Sequence, residues 1–492
     1  MMIEPNTPDT DPPVDLNAQV RRAVFWRTGT QIASQVISWS ATFIVLNLLQ
    51  PADYGLYAMA AVMMTFLDFL NGYGFASALI HRKDVSRNAL RQALGLAMVM
   101  NGAIAALQYA MAPAVAAYYG KPEVADLLHV LCLIYLATPF IIVPEVMLSR
   151  SLDFKKQAIV NLSAALVGAA VSLSCALLGF GVWTLVYAPM AIFATRAIGL
   201  TIAARLFILP SFNFRGIGST LSFGLAMMGS HMFWVMQSQS DIFIAGRRFA
   251  EHNVGLYAEA LFITQLIMAK FVPAINQVAF PAYARLQGQP EAMRWNFLSA
   301  MRIIMLVTAP IFIGISASAD AIVQALLRPQ WADLAPFMQI LGLAMPLMTL
   351  QILFAPMNNG MGRPDISMRA SAFGALCFTG AFLVGSTFGI VGLAYAWWVA
   401  APLLLLTTIT LSGRLTGIGI ADVFGAAAPA ILCALTMGAL VVGVDRLLPL
   451  HLVPWLHLAL LVATGGIAYL ALSWFFQRAT LHRMVALVRR TS

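Results

Sequence analysis

Six hydroxyl and amide side chains, Thr28, Gln31, Ser34, Gln35, Ser38 and Thr42, recur at three- and four-residue spacing early in the chain. That spacing puts them on one face of a helix. A second set follows about 200 residues later: Ser230, His231, Gln237, Ser238, Ser240 and Asp241. Polar stripes in apolar helices need partners, so both sets read as lining a cavity or, alternatively, as helix-to-helix hydrogen bonds inside a dry bundle. Trp39 and Trp234 lie in the same segments and suit either stacking on a ring face or packing. Arg27, Arg196 and Arg302 sit at or within neighbouring apolar segments. Their guanidinium forks suit a pyrophosphate, or equally an anchor at a membrane edge.

Four charged residues fall where charge is costly. Asp68 and Lys270 lie deep inside apolar runs at matching depth, and Asp241 and Glu259 lie near the ends of two others. Ionisable groups inside a bilayer are functional candidates by default. Asp68 with Lys270 reads as an ion pair at an inner gate; alternatively Lys270 snorkels and Asn71 caps Asp68. Asp241 and Glu259 read as an acidic vestibule carrying a coupling proton or cation, or as solvated surface groups.

No phosphate loop, H-E-x-x-H helix or nucleophile elbow occurs, and Gly120-Lys121-Pro122 does not match a phosphate loop. Nothing points to catalysis, a cofactor or a metal. Cys132, Cys175, Cys377 and Cys433 all sit in apolar runs, as packing residues do.

The elements that must hold these groups follow from composition. Of 492 residues, 60% are hydrophobic and 10% charged, against roughly 25% charged in soluble domains. A soluble protein is excluded, and 30 Phe with 10 Trp exclude a solvated, disordered one. About fourteen segments are long enough to span a bilayer. They run over 28–49, 54–80, 93–119, 124–148, 158–178, 182–206, 217–245, 255–280, 297–318, 334–357, 367–386, 390–412, 420–443 and 455–476. Turn chemistry separates them at Gln50-Pro51-Ala52-Asp53, Gly120-Lys121-Pro122, Gly179-Phe180-Gly181 and Arg363-Pro364-Asp365.

The basic residues set the orientation. Of 29 lysines and arginines, Lys121, Arg247, Arg248, Arg328 and Arg446 fall on one side and Lys270 inside a span. All the others fall on the opposite side. The positive-inside rule then places both termini in the cytoplasm. The net charge of +9 is topological and does not indicate nucleic acid. The polar start of the chain lacks a signal-peptide core and reads as a cytosolic tail.

The spans repeat. Gly55-Leu56-Tyr57-Ala58 recurs as Gly255-Leu256-Tyr257-Ala258, and Gly29-Thr30-Gln31 as Gly229-Ser230-His231. Phe180-Gly181-Val182 recurs as Phe388-Gly389-Ile390. A duplicated six-helix unit follows. Six is even, so the copies are parallel repeats about an axis along the membrane normal. The expected organisation is an N-terminal tail (1–22), a six-helix lobe (23–210) and a second such lobe (211–415). Two added helices (416–478) and a basic cytoplasmic tail (479–492) complete it.

Ala52-Asp53-Tyr54-Gly55-Leu56-Tyr57-Ala58, then Gly74-Phe75 with Ala78-Leu79-Ile80, carry a resemblance. So do Pro144 with Arg150-Ser151-Leu152-Asp153-Phe154-Lys155, and Gly179-Phe180-Gly181-Val182-Trp183. Ser240-Asp241, Gly255-Leu256-Tyr257, Phe280-Pro281-Ala282 with Leu286-Gln287, and Gly362-Arg363 extend it to about residue 415. In order and spacing the chain resembles the Wzx-type flippase branch of the multidrug/oligosaccharidyl-lipid/polysaccharide exporter superfamily. It looks most like the colanic-acid and succinoglycan exporters. The resemblance implies an all-α membrane protein of about 14 helices, with two six-helix lobes around a central cavity. It implies an undecaprenyl-pyrophosphate-linked oligosaccharide as substrate, flipped across the bacterial inner membrane by alternating access. A polymerase and a chain-length regulator are the implied partners. The motif at Ala52–Ala58 is expected to serve packing and loop geometry. A multidrug or cation antiporter and a lipid II flippase of the same superfamily are the alternatives. A membrane glycan polymerase or ligase would need a large outer loop, and none is present.

Overall fold

The computed structural model describes residues 16–68, 87–151, 153–213, 218–449 and 452–491. Side chains at 16–28, 218–231, 267, 269–278 and 485–491 lie outside the description. Every regular element among the described residues is a helix. In chain order they are α1 (Leu16–Leu48), α2 (Pro51–Asp68), α3 (Arg87–Tyr119), α4 (Glu123–Leu131), α5 (Leu133–Ala137) and α6 (Pro139–Arg150). Next come α7 (Phe154–Leu177), α8 (Trp183–Ala203), α9 (Gly218–Arg248), α10 (Glu251–Ala284), α11 (Pro290–Ala317) and α12 (Ala319–Leu326). The chain ends with α13 (Ala335–Ile352), α14 (Phe354–Gly360), α15 (Pro364–Gly385), α16 (Gly389–Thr416), α17 (Ile420–Leu447), α18 (Pro454–Phe476) and α19 (Arg478–Thr491). Nine of the described stretches are long and apolar enough to cross a membrane.

Local chemistry sets the breaks. Pro51 opens α2, where its missing N–H is no loss. Asp53 reaches back to accept a hydrogen bond from the Gln50 backbone N–H at 3.0 Å. Asp153 caps α7 by accepting from the Lys156 N–H at 3.3 Å. The Lys156 side chain also bonds the Asp153 carboxylate and holds it below the ordinary carboxylate range.

Two expected spans are each made of more than one helix. The segment 124–148 is three helices within one span-length stretch; Pro139 opens the third, and Pro144 lies inside it without breaking it. The segment 334–357 is α13 and α14, preceded by a 3₁₀ turn over Pro329–Leu334. At the start, α1 begins at Leu16, inside the expected tail. At the end, the basic tail is the helix α19.

The chain divides into two compact units. One comprises residues 1–45, 71–107 and 130–224; the other comprises 46–70, 108–129 and 225–492. The boundaries fall inside α1, α3, α4 and α9, and differ from the division by repeat. In the first unit α7 packs along α8, with Ile192 against Gly168 and Val160 against Gly199. In the second, α11 packs along α17, and Met293, Phe297, Met301 and Met305 meet Phe354, Leu405 and Val423 in a buried core.

The same unit brings the repeated motif together with itself. α2 packs along α10, and Gly55 and Gly255 meet where the helices cross. A Cβ on Gly55 would strike the carbonyl oxygen of Glu251, and one on Gly255 would strike that of Pro51. Residue 51 corresponds to 251 as 55 does to 255, so the crossing is symmetric about the repeat offset. Three attachments flank it. Asn47 Nδ2 donates to Leu326 O at 2.8 Å and Asn47 Oδ1 accepts from the Arg328 N–H at 2.8 Å. The Trp331 indole donates to Leu46 O at 2.8 Å. Lys121 forms an ion pair with Glu251. The motif at Ala52–Ala58 thus serves packing, as expected.

Candidate functional site

The polar face of α1 lines a cavity of about 380 Å³ in the first unit. Small-molecule sites occupy roughly 300–1,000 Å³. α1 contributes Gln31, Ser34, Gln35 and Ser38. α6 contributes Glu145 and Ser149, and α7 contributes Phe154, Gln157 and Asn161. On each helix the polar residues lie three or four apart, so each presents one stripe. Three stripes from three helices therefore converge.

The site is partly preorganised. Gln157 Nε2 donates to the Glu145 backbone oxygen and to Ser149 Oγ, both at 2.9 Å. Both amide hydrogens are engaged, which fixes the carbonyl Oε1 as the group left to accept. Glu145 Oε2 accepts from Arg196 at 3.2 Å. Ser34 Oγ is buried without a hydrogen-bond partner. Arg196 Nε is likewise buried and unpartnered. A buried hydroxyl without a partner costs about 1–3 kcal/mol, which a ligand would return.

The second polar set is placed differently. Gln237 is buried, and its Oε1 lies where a Cβ on Gly374 would sit, so α15 covers it. Ser238 and Ser240 bond back to their own helix, at Val235 O and Gln237 O. Gln237 thus packs within the bundle, Ser240 is buried, and Ser238 is half-buried. Trp234 is exposed and Trp39 half-buried; neither lines the α1 cavity. The side chain of His231 lies outside the described residues.

Asp241 and Glu259 are not solvated surface groups. Asp241 accepts from its neighbour's backbone N–H (Ile242) at 2.8 Å and from the Tyr257 hydroxyl at 2.9 Å. Tyr257 in turn accepts from the Trp397 indole at 2.8 Å. Glu259 is buried and its Oε2 has no partner. Helix packing therefore encloses both carboxyls, which corrects the expectation of an open acidic vestibule.

Of the basic candidates, Arg196 is taken up by Glu145. Arg302 is half-buried on α11. Asp68 ends α2 and is exposed. The side chains of Arg27 and Lys270, and the whole of Asn71 and Gly74–Ile80, lie outside the described residues. The proposed Asp68–Lys270 pair is thus not described.

Sequence reasoning missed Glu145, Ser149, Phe154, Gln157 and Asn161. The signal was present: Gln157 and Asn161 are four apart near the head of a largely apolar helix, and Glu145 and Ser149 are four apart on α6. The Asp241–Tyr257–Trp397 chain was missed as well. Its members belong to three helices, so no local spacing reveals it.

The pattern of a family described as polysaccharide biosynthesis protein matches residues 44–336. The succinoglycan biosynthesis transport protein ExoT of Rhizobium meliloti is 25% identical over 394 residues, covering 80% of this chain and 79% of that protein. Among solved structures, the lipid II flippase MurJ superposes with a TM-score of 0.71 at 11% identity, covering 92% of this chain and 99% of that one. An inward-facing multidrug resistance MATE family transporter gives 0.60 at 16% identity, covering 78% and 95%. At such identities the likeness is one of fold: an all-helical, multi-pass membrane transporter fold.

Proposed function

This chain belongs to the polysaccharide biosynthesis protein family, and from that premise we propose that it flips lipid-linked oligosaccharide repeat units across the bacterial inner membrane. The substrate class is an undecaprenyl-pyrophosphate-linked oligosaccharide. The product feeds exopolysaccharide, capsule or lipopolysaccharide assembly. The observation that carries this reading is the convergence of three amide and hydroxyl stripes on one cavity. Polar stripes in a bilayer need partners, and a glycan headgroup supplies many.

Transport proceeds by alternating access without a catalytic step. Both termini face the cytoplasm, in line with the distribution of Lys and Arg. A polymerase and a chain-length regulator act downstream. Glu259, with one buried and unpartnered oxygen, favours a second reading in which a proton or cation drives the cycle, as in an antiporter. That reading concerns the driving force and shares the fold.

The test is a deletion strain assayed for surface polysaccharide and for lipid-linked oligosaccharide, with and without the restored protein. Loss of polymer with accumulation of the lipid-linked unit in the inner leaflet is expected. Normal polymer in a background without a redundant flippase overturns the proposal.

A further inference from the structure

We propose that the cavity between α1, α6 and α7 is a subsite for an uncharged sugar residue, and that it excludes the phosphate groups of the same substrate. This rests on the flippase reading and adds which part of the headgroup sits there.

Glu145 is the acidic side chain in the cavity wall, and Arg196 already pairs with it at 3.2 Å. No unpaired cation lines the cavity among the described residues. A pyrophosphate entering it would shed hydration and meet, among the described residues, a carboxylate already paired with Arg196 and no cation lining the cavity to receive it. A second anionic group, such as a uronate, would face the same cost. An uncharged polyol would not.

Hydrogen-bonding capacity comes next. Sugar hydroxyls both donate and accept, so their best partners are fixed groups of both kinds. Gln157 Oε1 accepts, because both Nε2 hydrogens are held by Glu145 O and Ser149 Oγ. Ser34 Oγ is buried with no partner and can do either. Asn161, one turn beyond Gln157 on the same face, offers both a donor and an acceptor. Phe154 adds an apolar border to the cavity. These groups sit on helices and not on loops, so the array is set before the ligand arrives.

The experiment uses the full-length protein in lipid nanodiscs, titrated calorimetrically with cellotetraose, tetragalacturonate and inorganic pyrophosphate. Cellotetraose is expected to bind, and Gln157→Leu and Asn161→Leu are each expected to weaken it at least tenfold. Binding of pyrophosphate, wherever it occurs, is expected to be the same in both variants. Should Gln157→Leu loosen the packing of α6 on α7, Asn161→Leu carries the test, since Asn161 makes no bond holding the helices together. Three results would overturn the proposal. They are no cellotetraose binding to the unsubstituted protein, binding unchanged in both variants, or loss of pyrophosphate or tetragalacturonate binding in Asn161→Leu. The deletion strain separates the two claims. Lost polymer with a failed titration leaves the flippase reading standing without this subsite. Normal polymer with a successful titration leaves a sugar site in a protein of another function.

Discussion

The crossing of α2 with α10 and the cavity beside α1 use helices of the same repeated unit by opposite means. At the crossing, side chains are removed: Gly55 and Gly255 let backbone touch backbone, and a single Cβ on either would strike a carbonyl oxygen. At the cavity, side chains are added: Gln31, Ser34, Glu145, Gln157 and Asn161 hold space open and fill it with hydrogen-bonding groups. In a membrane, lipid is as apolar as the helix surface, so close packing of small residues is the main source of helix association. Polar groups held apart gain little until a ligand reaches them. One region therefore spends its residues on closure and the other on recognition.

The largest expected effect tests the crossing. Gly255→Leu or Gly55→Leu forces α2 and α10 apart. Overpacking typically costs 1–3 kcal/mol and occasionally more, and here the obstruction is backbone, which yields least. Near-complete loss of folded protein and of polymer export is expected, read by melting in detergent and by surface polysaccharide. Gly102→Ala on α3, where a Cβ meets nothing within 4 Å, is the control. It is expected to be neutral or to stabilise by up to about 1 kcal/mol, because alanine favours a helix over glycine. Equal damage from Gly102→Ala would erase the contrast.

Tyr257 lies two residues past Gly255 and links the crossing to a buried carboxylate. Tyr257→Phe removes the donor to Asp241 and the acceptor for Trp397 in one step. Hydrogen bonds to charged groups contribute about 1.5–3 kcal/mol. A loss of about 2 kcal/mol in chemical denaturation is expected. No change would mean that Asp241 is neutral and its partner dispensable.

How much of this was readable in advance differs between the two regions. The helix ends at Gln50–Pro51 and Arg363–Pro364 are local chemistry and could be read from the residues. So could the α1 stripe, because period and polarity are local. The repeat at Gly55 and Gly255 was visible as an offset, but nothing in it says that the two copies touch. That contact joins residues 200 positions apart and depends on the whole second unit. The cover over Gln237 could not be read for the same reason. The residue type suits a ligand, and only the approach of Gly374 shows that the side chain is covered. Gln157 and Asn161 had the right spacing, yet the α1 residues that share their cavity lie more than 100 residues away.

A smaller effect, of opposite sign, is expected at Glu259, four residues past Gly255. Its buried carboxyl has an unpartnered oxygen, and a buried ionisable group carries a desolvation cost. Glu259→Gln keeps the shape and removes the ionisable group. It is expected to stabilise by about 1 kcal/mol, seen as a higher melting temperature. If Glu259 carries the coupling ion, export falls at least tenfold although the protein is more stable. Lower stability would mean that the carboxylate is needed for packing, and would assign Glu259 to the closure region alone.

The smallest effect concerns the ion pair beside the crossing. Lys121 and Glu251 are each about one-third exposed, and such pairs contribute about 0.2–1 kcal/mol. The bond from Lys121 holds the Glu251 carboxyl below its ordinary range. A carboxylate depressed in the folded state stabilises it at pH above the unfolded value. That contribution disappears as pH falls through the lower, folded value. At pH 7 Glu251→Gln is therefore expected to cost less than about 1 kcal/mol, and raised salt should shrink the cost. Below the folded value, variant and parent should melt alike. If the difference persists in strong acid, Glu251 acts through its position in the first turn of α10 and not through Lys121, and the closure at the crossing is then held by glycine packing without electrostatic help.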